Sequence, residues 1–209
     1  LKVAVIGPTG MVGAAMLRVL EQRAFPVSEL VPVASARSAG KTVTFNGAEH
    51  RVVEISPEVF EGVDLALFSA GAGTSREWSP IAASKGGLVV DNSSAFRGDP
   101  EVPLIVPEVN PDAAAHRPKG IIANPNCSTI QMVVALKPLH DEARLKRVVV
   151  ATYQAISGSG ATAVAAFEAQ EAAIVRGDEV DKSNPSGQLS RNLLMHWKPD
   201  PETGYQEEE

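Results

Sequence analysis

Cys127 is the only cysteine in 209 residues, and it stands in Asn124-Pro125-Asn126-Cys127-Ser128-Thr129. Ahead of it, Gly120 to Ala123 (GIIA) reads as a short buried strand. Behind it, Ser128 to Leu139 sets Ile130, Val133, Val134 and Leu136 at helical spacing. The thiol therefore falls at a helix start, where backbone N–H groups and the helix dipole stabilise a negative sulfur. That address suits a nucleophile, although a free cysteine is as readily a small buried hydrophobe, so the company it keeps must decide. The company is not a hydrolase triad. Of the four histidines, His50 and His116 lie in polar loop sequence, His196 lies in a segment without periodicity, and His140 ends the cysteine helix. His140 is about three turns, or nearly 20 Å, from the thiol, so a Cys-His pair is not completed.

A second chemical element opens the chain. Gly7-Pro8-Thr9-Gly10-Met11-Val12-Gly13 follows an apolar strand and starts a helix, the context in which a glycine-rich turn binds a dinucleotide pyrophosphate. Gly7, Gly10 and Gly13 have GxxGxxG spacing, and the physics is that of the commoner GxGxxG: a tight turn, close backbone approach to phosphate, and close helix–strand packing. At the end of the second strand, where NAD sites place a carboxylate against the ribose, there is none. Instead Ser35, Arg37 and Ser38 offer a guanidinium and two hydroxyls, which suit a 2′-phosphate and point to NADP.

Two further strand ends carry polar groups. Asp91-Asn92-Ser93-Ser94-Ala95-Phe96-Arg97 contains a candidate anion holder in Arg97. Tyr153-Gln154-Ala155-Ile156-Ser157-Gly158-Ser159-Gly160 presents the Gln154 amide to a substrate, with Ser157 and Gly158 placed for the nicotinamide half of the cofactor.

The elements that must position these groups alternate. Strands are predicted over Lys2–Ile6, Leu30–Ala34, Leu65–Ser69, Leu88–Asp91 and Gly120–Ala123, with helices over Met11–Arg23 and Thr74–Ser84. Near-continuous apolar strands between helices mean a mostly parallel sheet covered on both faces, a Rossmann-like doubly wound α/β fold over residues 1–126. Thr42–Phe45 and His50–Val53, separated by Asn46-Gly47-Ala48-Glu49, read as an inserted hairpin. An incomplete α+β catalytic and dimerisation domain follows over residues 127–209. There a valine-rich strand is predicted at Lys146–Ala155, a helix at Ala161–Val175 and a short strand at Asn192–Met195.

With 44% hydrophobic residues the chain can build a core, and a net charge of −6 without a basic run argues against nucleic acid and anionic membrane as partners. One cysteine excludes an internal disulfide framework and a multi-cysteine metal site, and fits a reducing cytoplasm. The solute is expected to be small. The final residues, Gly204 to Glu209, read as a turn and the acidic first turn of a helix that does not continue, and Leu1 replaces a methionine, so the sequence reads as truncated.

Taken together, the residues resemble the aspartate-β-semialdehyde dehydrogenases over essentially the whole length. The GxTGxVG turn, A-S-x-R-S-x-G, Ser69-Ala70-Gly71 after the next strand, D-N-S-S-A-x-R, N-P-N-C-[ST]-T and Y-Q-A-x-S-G-[SA]-G occur in order. The resemblance implies NADPH-dependent reductive dephosphorylation of β-aspartyl phosphate on the route to lysine, threonine and methionine, by a homodimer. It implies Cys127 as the acyl-thioester nucleophile, Asn126 assisting the oxyanion, Gln154 on the substrate, and Arg97 with Asn92 on the phosphoryl group. Thr9, Gly10, Met11 and Val12 would hold the cofactor phosphates, Ser69 would touch the cofactor, and Arg37 and Ser38 would hold its 2′-phosphate. The family's acid/base histidine, substrate arginine and a lysine belong after residue 209, with Glu208 as the glutamate preceding that lysine. Turnover by these residues alone is expected to be negligible, since acid/base assistance is worth about 10²–10⁴-fold. N-acetyl-γ-glutamyl-phosphate reductase is the nearest enzyme alternative, disfavoured because its N-P-G-C-Y differs at Asn126 and Ser128. A noncatalytic nucleotide-binding or dimerisation module is the alternative from another class.

Overall fold

The computed structural model describes residues 1–184 and 187–194, in two compact units that meet in sequence at Val150 and Ala151. The first contains β1 (Lys2–Ile6), α1 (Met11–Gln22), β2 (Glu29–Ala34), β3 (Thr42–Phe45), β4 (Ala48–Arg51), β5 (Val53–Glu54), β6 (Leu65–Phe68), α2 (Ala72–Ser84), β7 (Leu88–Asp91), β8 (Ile121–Ala123) and α3 (Cys127–Ala143). Six of these strands form one sheet in the order β5-β2-β1-β6-β7-β8, parallel throughout. The chain winds outward from β1 in both directions, so the crevice between the carboxyl ends of β1 and β6 is the switch point at which such sheets bind ligands.

Alternation along β1 sorts the core onto two faces. Val3 and Val5 pack with Leu17 and Leu20 of α1 on one face, while Ala4 and Ile6 join Phe60, Phe68 and Ala82 of α2 on the other. Val3, Ala4, Val5 and Ile6 are all 0% exposed, as a strand covered on both sides requires.

The hairpin closes earlier than the sequence pattern predicts. Asn46 and Gly47 take φ of 49° and 75°, the two left-handed positions of a tight two-residue turn, so Ala48 already pairs with Phe45. Val53 then leaves the hairpin and pairs with Val33 at the edge of the main sheet.

The expected strand at Lys146–Ala155 does not form. Among the described residues no strand pairs with it, and Val149 and Tyr153 are 80% and 83% exposed. A valine-rich run becomes a strand only where a neighbouring edge takes its N–H and C=O groups, and β propensity alone does not supply that edge. Asn192–Leu194 likewise carry no strand, while Met195, His196 and Glu208 lie outside the described residues.

In the second unit a 3₁₀ turn over Ile156–Ser159 leads into α4 (Ala161–Arg176), which ends at the left-handed Gly177. Buried Gln170 of α4 holds the following segment. Its Nε2 donates to the Asp181 and Gly187 carbonyls at 2.6 and 3.2 Å, and its Oε1 accepts from the Leu189 and Ser190 N–H groups at 2.7 and 3.1 Å. Among the described residues no helix is long and apolar enough to cross a membrane.

Candidate active site

β1 ends in a turn whose glycines are dictated by contact. Gly7, at φ 84°, donates its N–H to the Val33 carbonyl at 2.8 Å, and a Cβ on it would stand 2.8 Å from the Ser69 carbonyl oxygen at the end of β6. A Cβ on Gly13 would stand 2.1 Å from the Gly7 carbonyl oxygen, a distance no side chain tolerates. The turn therefore folds back on α1 and against β6 with no room for a side chain at Gly7 or Gly13. α1 begins at Gly10 without a side-chain cap or an acid in its first turn, and Thr9, Gly10, Met11 and Val12 are exposed. A helix start with unsatisfied N–H groups and no carboxylate is a seat for an anion, and these residues fit a dinucleotide pyrophosphate.

β2 ends at Ala34, and the next turn is closed by the Ser38 and Ala39 N–H groups donating to the Ser35 carbonyl at 2.8 and 3.0 Å. Ser35 and Arg37 face solvent, and Ser38 is buried beneath them. Lys41, which the sequence reading did not single out, donates from Nζ to Ser38 Oγ at 3.5 Å. Its signal was its place one residue past the A-S-x-R-S-x-G segment.

The loops after β7 and β8 are built as one piece. Asp91 is fully buried and accepts from Ser75 Oγ at 2.7 Å, Ser93 Oγ at 2.8 Å and Ser93 N–H at 3.1 Å. The Asp91 carbonyl accepts from the Asn124 N–H at 2.8 Å, and Asn124 Nδ2 donates to Asn92 Oδ1 at 2.6 Å. Arg97 bridges both loops: its Nε donates to the Asn124 carbonyl at 2.9 Å and an Nη to the Asn92 carbonyl at 3.2 Å. Among the described residues Arg97 has no salt-bridge partner, so a half-buried guanidinium is fixed by carbonyls with its charge uncompensated, the condition for holding an anion. Lys119 closes the far side of this loop on Asp99 at 2.6 Å. That hydrogen bond, with one from the Glu101 N–H, keeps the Asp99 carboxyl below its ordinary range.

Cys127 follows immediately. It is exposed and occupies the first helical position of α3, whose N-cap is Asn126. Asn126 Oδ1 accepts from Ser128 N–H at 2.8 Å and Ser128 Oγ at 2.6 Å, so the helix start that carries the thiol is capped by the residue before it. Because all strands run the same way, the Gly7 turn, Ser69, the Arg97 loop and Cys127 leave the sheet at one edge. Gly7 and Cys127 are separated by three strand spacings, roughly 14 Å. The structure thus brings together Gly7–Gly13, Ser69, Asn92, Arg97, Asn126 and Cys127 along one edge, with Ser35, Arg37 and Ser38 at the end of the neighbouring β2. In the second unit Gln154, Ser157 and Gly158 are exposed around the turn before α4. The sequence does not single out Asp91, Ser75 and Asn124 as site builders, because Ser75 lies 16 residues from Asp91 and Asn124 lies 32 from Asn92. Among the described residues no group of three or more His, Cys, Asp or Glu could hold a metal ion.

Residues 2–117 match the semialdehyde dehydrogenase NAD-binding domain, and residues 136–209 match the semialdehyde dehydrogenase dimerisation domain. The chain is 54% identical over its full length to an aspartate-semialdehyde dehydrogenase of Aquifex aeolicus, covering 62% of that protein. Aspartate semialdehyde dehydrogenase II of Vibrio cholerae, solved in complex with ASA, superposes with a TM-score of 0.92 at 45% identity, over 99% of this chain and 62% of that one. The Candida albicans enzyme, solved with NADP, gives a TM-score of 0.57 at 28% identity, over 69% of this chain and 48% of that one. The sequence thus spans about three-fifths of the length of these relatives. With its cofactor-domain family model covering more than half of the residues, the chain belongs to the semialdehyde dehydrogenase family.

Proposed function

We propose that this chain is the cofactor- and thiol-bearing part of an aspartate-semialdehyde dehydrogenase. The reaction is reductive dephosphorylation of β-aspartyl phosphate with NADPH, in the cytoplasmic synthesis of lysine, threonine and methionine. The observation that carries the reading is the placement of an exposed helix-start thiol and a carbonyl-anchored Arg97 on the same sheet edge as an open glycine turn.

Cys127 Sγ attacks the acyl carbon of the substrate; the carbon–oxygen bond to phosphate breaks, and inorganic phosphate departs toward Arg97 and Asn92. A thioester on Cys127 remains, which splits one hard displacement into two easier ones. Asn126, whose carboxamide oxygen accepts from Ser128 at the helix start, assists the oxyanion. When bound, NADPH supplies the hydride that reduces the thioester to the aldehyde. The uncapped start of α1 holds its pyrophosphate, and Ser35, Arg37 and Ser38 its 2′-phosphate. In this proposal residues 1–126 hold the cofactor, and 127–209 serve catalysis and dimerisation in a homodimer. Gln154 then contacts the substrate, Ser157 and Gly158 the nicotinamide, and Glu208 the substrate region. The Vibrio cholerae enzyme with ASA and the Candida albicans enzyme with NADP support the choice of substrate and cofactor.

The test is phosphate-dependent reduction of NADP by aspartate semialdehyde, catalysed by the protein that carries this sequence, compared with Cys127→Ser. Loss of turnover with NADPH binding retained is expected; turnover in the variant at the wild-type rate overturns the thioester mechanism.

A further inference from the structure

The turn after β2 carries more positive charge than Arg37. Lys41 is clamped by backbone bonds on both sides: its N–H donates to the Ser38 carbonyl at 3.3 Å, and its carbonyl accepts from the Val52 N–H at 2.8 Å. The neighbouring Gly40 N–H donates to the Val52 carbonyl at 2.9 Å. From that fixed stem the ammonium reaches Ser38 Oγ at 3.5 Å, and among the described residues it meets no carboxylate. Arg18, Lys41 and Thr42, with Thr9 of the glycine turn, line an open depression of about 470 Å³ between α1 and the hairpin. Glu21, the acid on this helix, turns instead to the hairpin and accepts from the Asn46 N–H. In a chain with a net charge of −6, a depression with cations and, among the described residues, no paired acid is not a generic surface.

We infer that Lys41 is a specificity-determining residue for the cofactor: with Arg37 it supplies the second positive charge for a phosphate monoester on the adenosine ribose, seated between the glycine turn and the hairpin. This rests on the NADP reading above. A ribose whose pyrophosphate lies at the start of α1 reaches the end of β2, where this turn begins. A phosphate monoester carries close to two negative charges and three acceptor oxygens, more than one guanidinium saturates. Ser38 explains why the lysine is held where it is. Its oxygen accepts from Lys41, so its hydroxyl proton points away from the ammonium and becomes a donor for the ligand, and the ammonium retains two further donors. Lys41 thus adds a charge and also orients the Ser38 hydroxyl.

The experiment is direct binding of NADPH and NADH to the protein that carries this sequence, to Lys41→Met, and to Lys41→Arg. The lysine side chain faces solvent, and unchanged thermal midpoints check that the variants fold. Lys41→Met is expected to weaken NADPH on the order of tenfold, to leave NADH within about twofold, and to flatten the salt dependence of NADPH binding, whereas Lys41→Arg retains most of the preference. Unchanged NADPH affinity in Lys41→Met, or equal losses for both dinucleotides, overturns the role of Lys41 while leaving the NADP reading standing. Equal wild-type affinities for NADPH and NADH overturn both.

Discussion

Ser75 Oγ donates to Asp91 Oδ1 at 2.7 Å between two side chains that are 0% exposed, tying α2 to the end of β7 beneath the candidate site. With the two bonds from Ser93, three donors converge on a buried carboxylate that, among the described residues, has no salt-bridge partner. The same residue's backbone fixes Asn124, and through the Asn92 and Asn124 carbonyls it sets Arg97. Asp91→Asn keeps the shape but turns one acceptor into a donor facing donors. It is expected to cost about 1–3 kcal/mol in urea denaturation. It is also expected to raise the KM for phosphate more than it changes NADPH affinity, because the glycine turn stands two strands away. An effect on stability with no effect on phosphate would confine Asp91 to the core.

The glycine turn separates steric from conformational demand. At Gly13 an added Cβ meets the Gly7 carbonyl oxygen at 2.1 Å, whereas at Gly47, in the hairpin, none of the described residues lies within 4 Å and only the φ of 75° opposes a side chain. Gly13→Ala is expected to destabilise by about 1–3 kcal/mol and to abolish measurable dinucleotide binding, since the turn must open to admit the methyl. Gly47→Ala is expected to cost roughly 1–2 kcal/mol of left-handed strain and to leave cofactor binding intact. Isothermal titration with NADPH on both variants distinguishes the two.

Asn126 sets the helix start that bears the thiol. Removing its side chain in Asn126→Ala strips the cap from Ser128 and is expected to cost about 1 kcal/mol. Asn126→Asp restores an acceptor for the same N–H but puts a negative charge next to Cys127, which disfavours thiolate. Stability should recover in the aspartate variant while iodoacetamide alkylation of Cys127 slows below that of the alanine variant. Equal alkylation rates in all three proteins would show that residue 126 does not influence the sulfur.

Where sequence reading succeeded and failed follows from the range of the interactions involved. Strands such as Lys2–Ile6 are buried on both faces, so their apolar runs carry their own signature. The GxxGxxG turn carries a local signal in Gly13, which answers to Gly7 within the turn, although Gly7 also answers to the distant Ser69. The Asn46-Gly47 turn is legible in the sequence, but the loop is two residues shorter than the pattern predicts, since Ala48 pairs with Phe45 once Asn46 and Gly47 both adopt positive φ. Lys146–Ala155 has the composition of a strand without forming one, because a strand is a relation between two segments and the pattern of one cannot supply the other. The Asp91 web and the Lys41–Ser38 contact were illegible for a related reason: a serine or lysine acquires its role from what folds against it. The chemistry of Cys127 and Arg97 could be read as candidate roles, but the carbonyl anchoring that holds Arg97 ready could not.

Gln170 makes the same point in the second unit and can be tested independently of any ligand. A glutamine on a helix rich in alanine reads as an exposed polar residue, yet it is 3% exposed and makes four hydrogen bonds to the backbone of Asp181, Gly187, Leu189 and Ser190. Its amide thereby substitutes for a strand partner, giving the irregular segment two acceptors' worth of donor and two donors' worth of acceptor at one point. Replacing it leaves those backbone groups unpaired, so Gln170→Leu, close in volume but without the amide, is expected to cost roughly 2–3 kcal/mol. The loss should appear as faster amide hydrogen exchange at Leu189 and Ser190, with exchange in β1 and β6 of the first unit unchanged. Gln170→Glu retains the acceptors and loses the donors, so protection at Leu189 and Ser190 should survive there even as the Asp181 and Gly187 carbonyls lose their partner. Unaltered exchange at Leu189 and Ser190 in Gln170→Leu would mean that the segment is held by its other contacts, such as Ser190 with Glu171, and not by this amide.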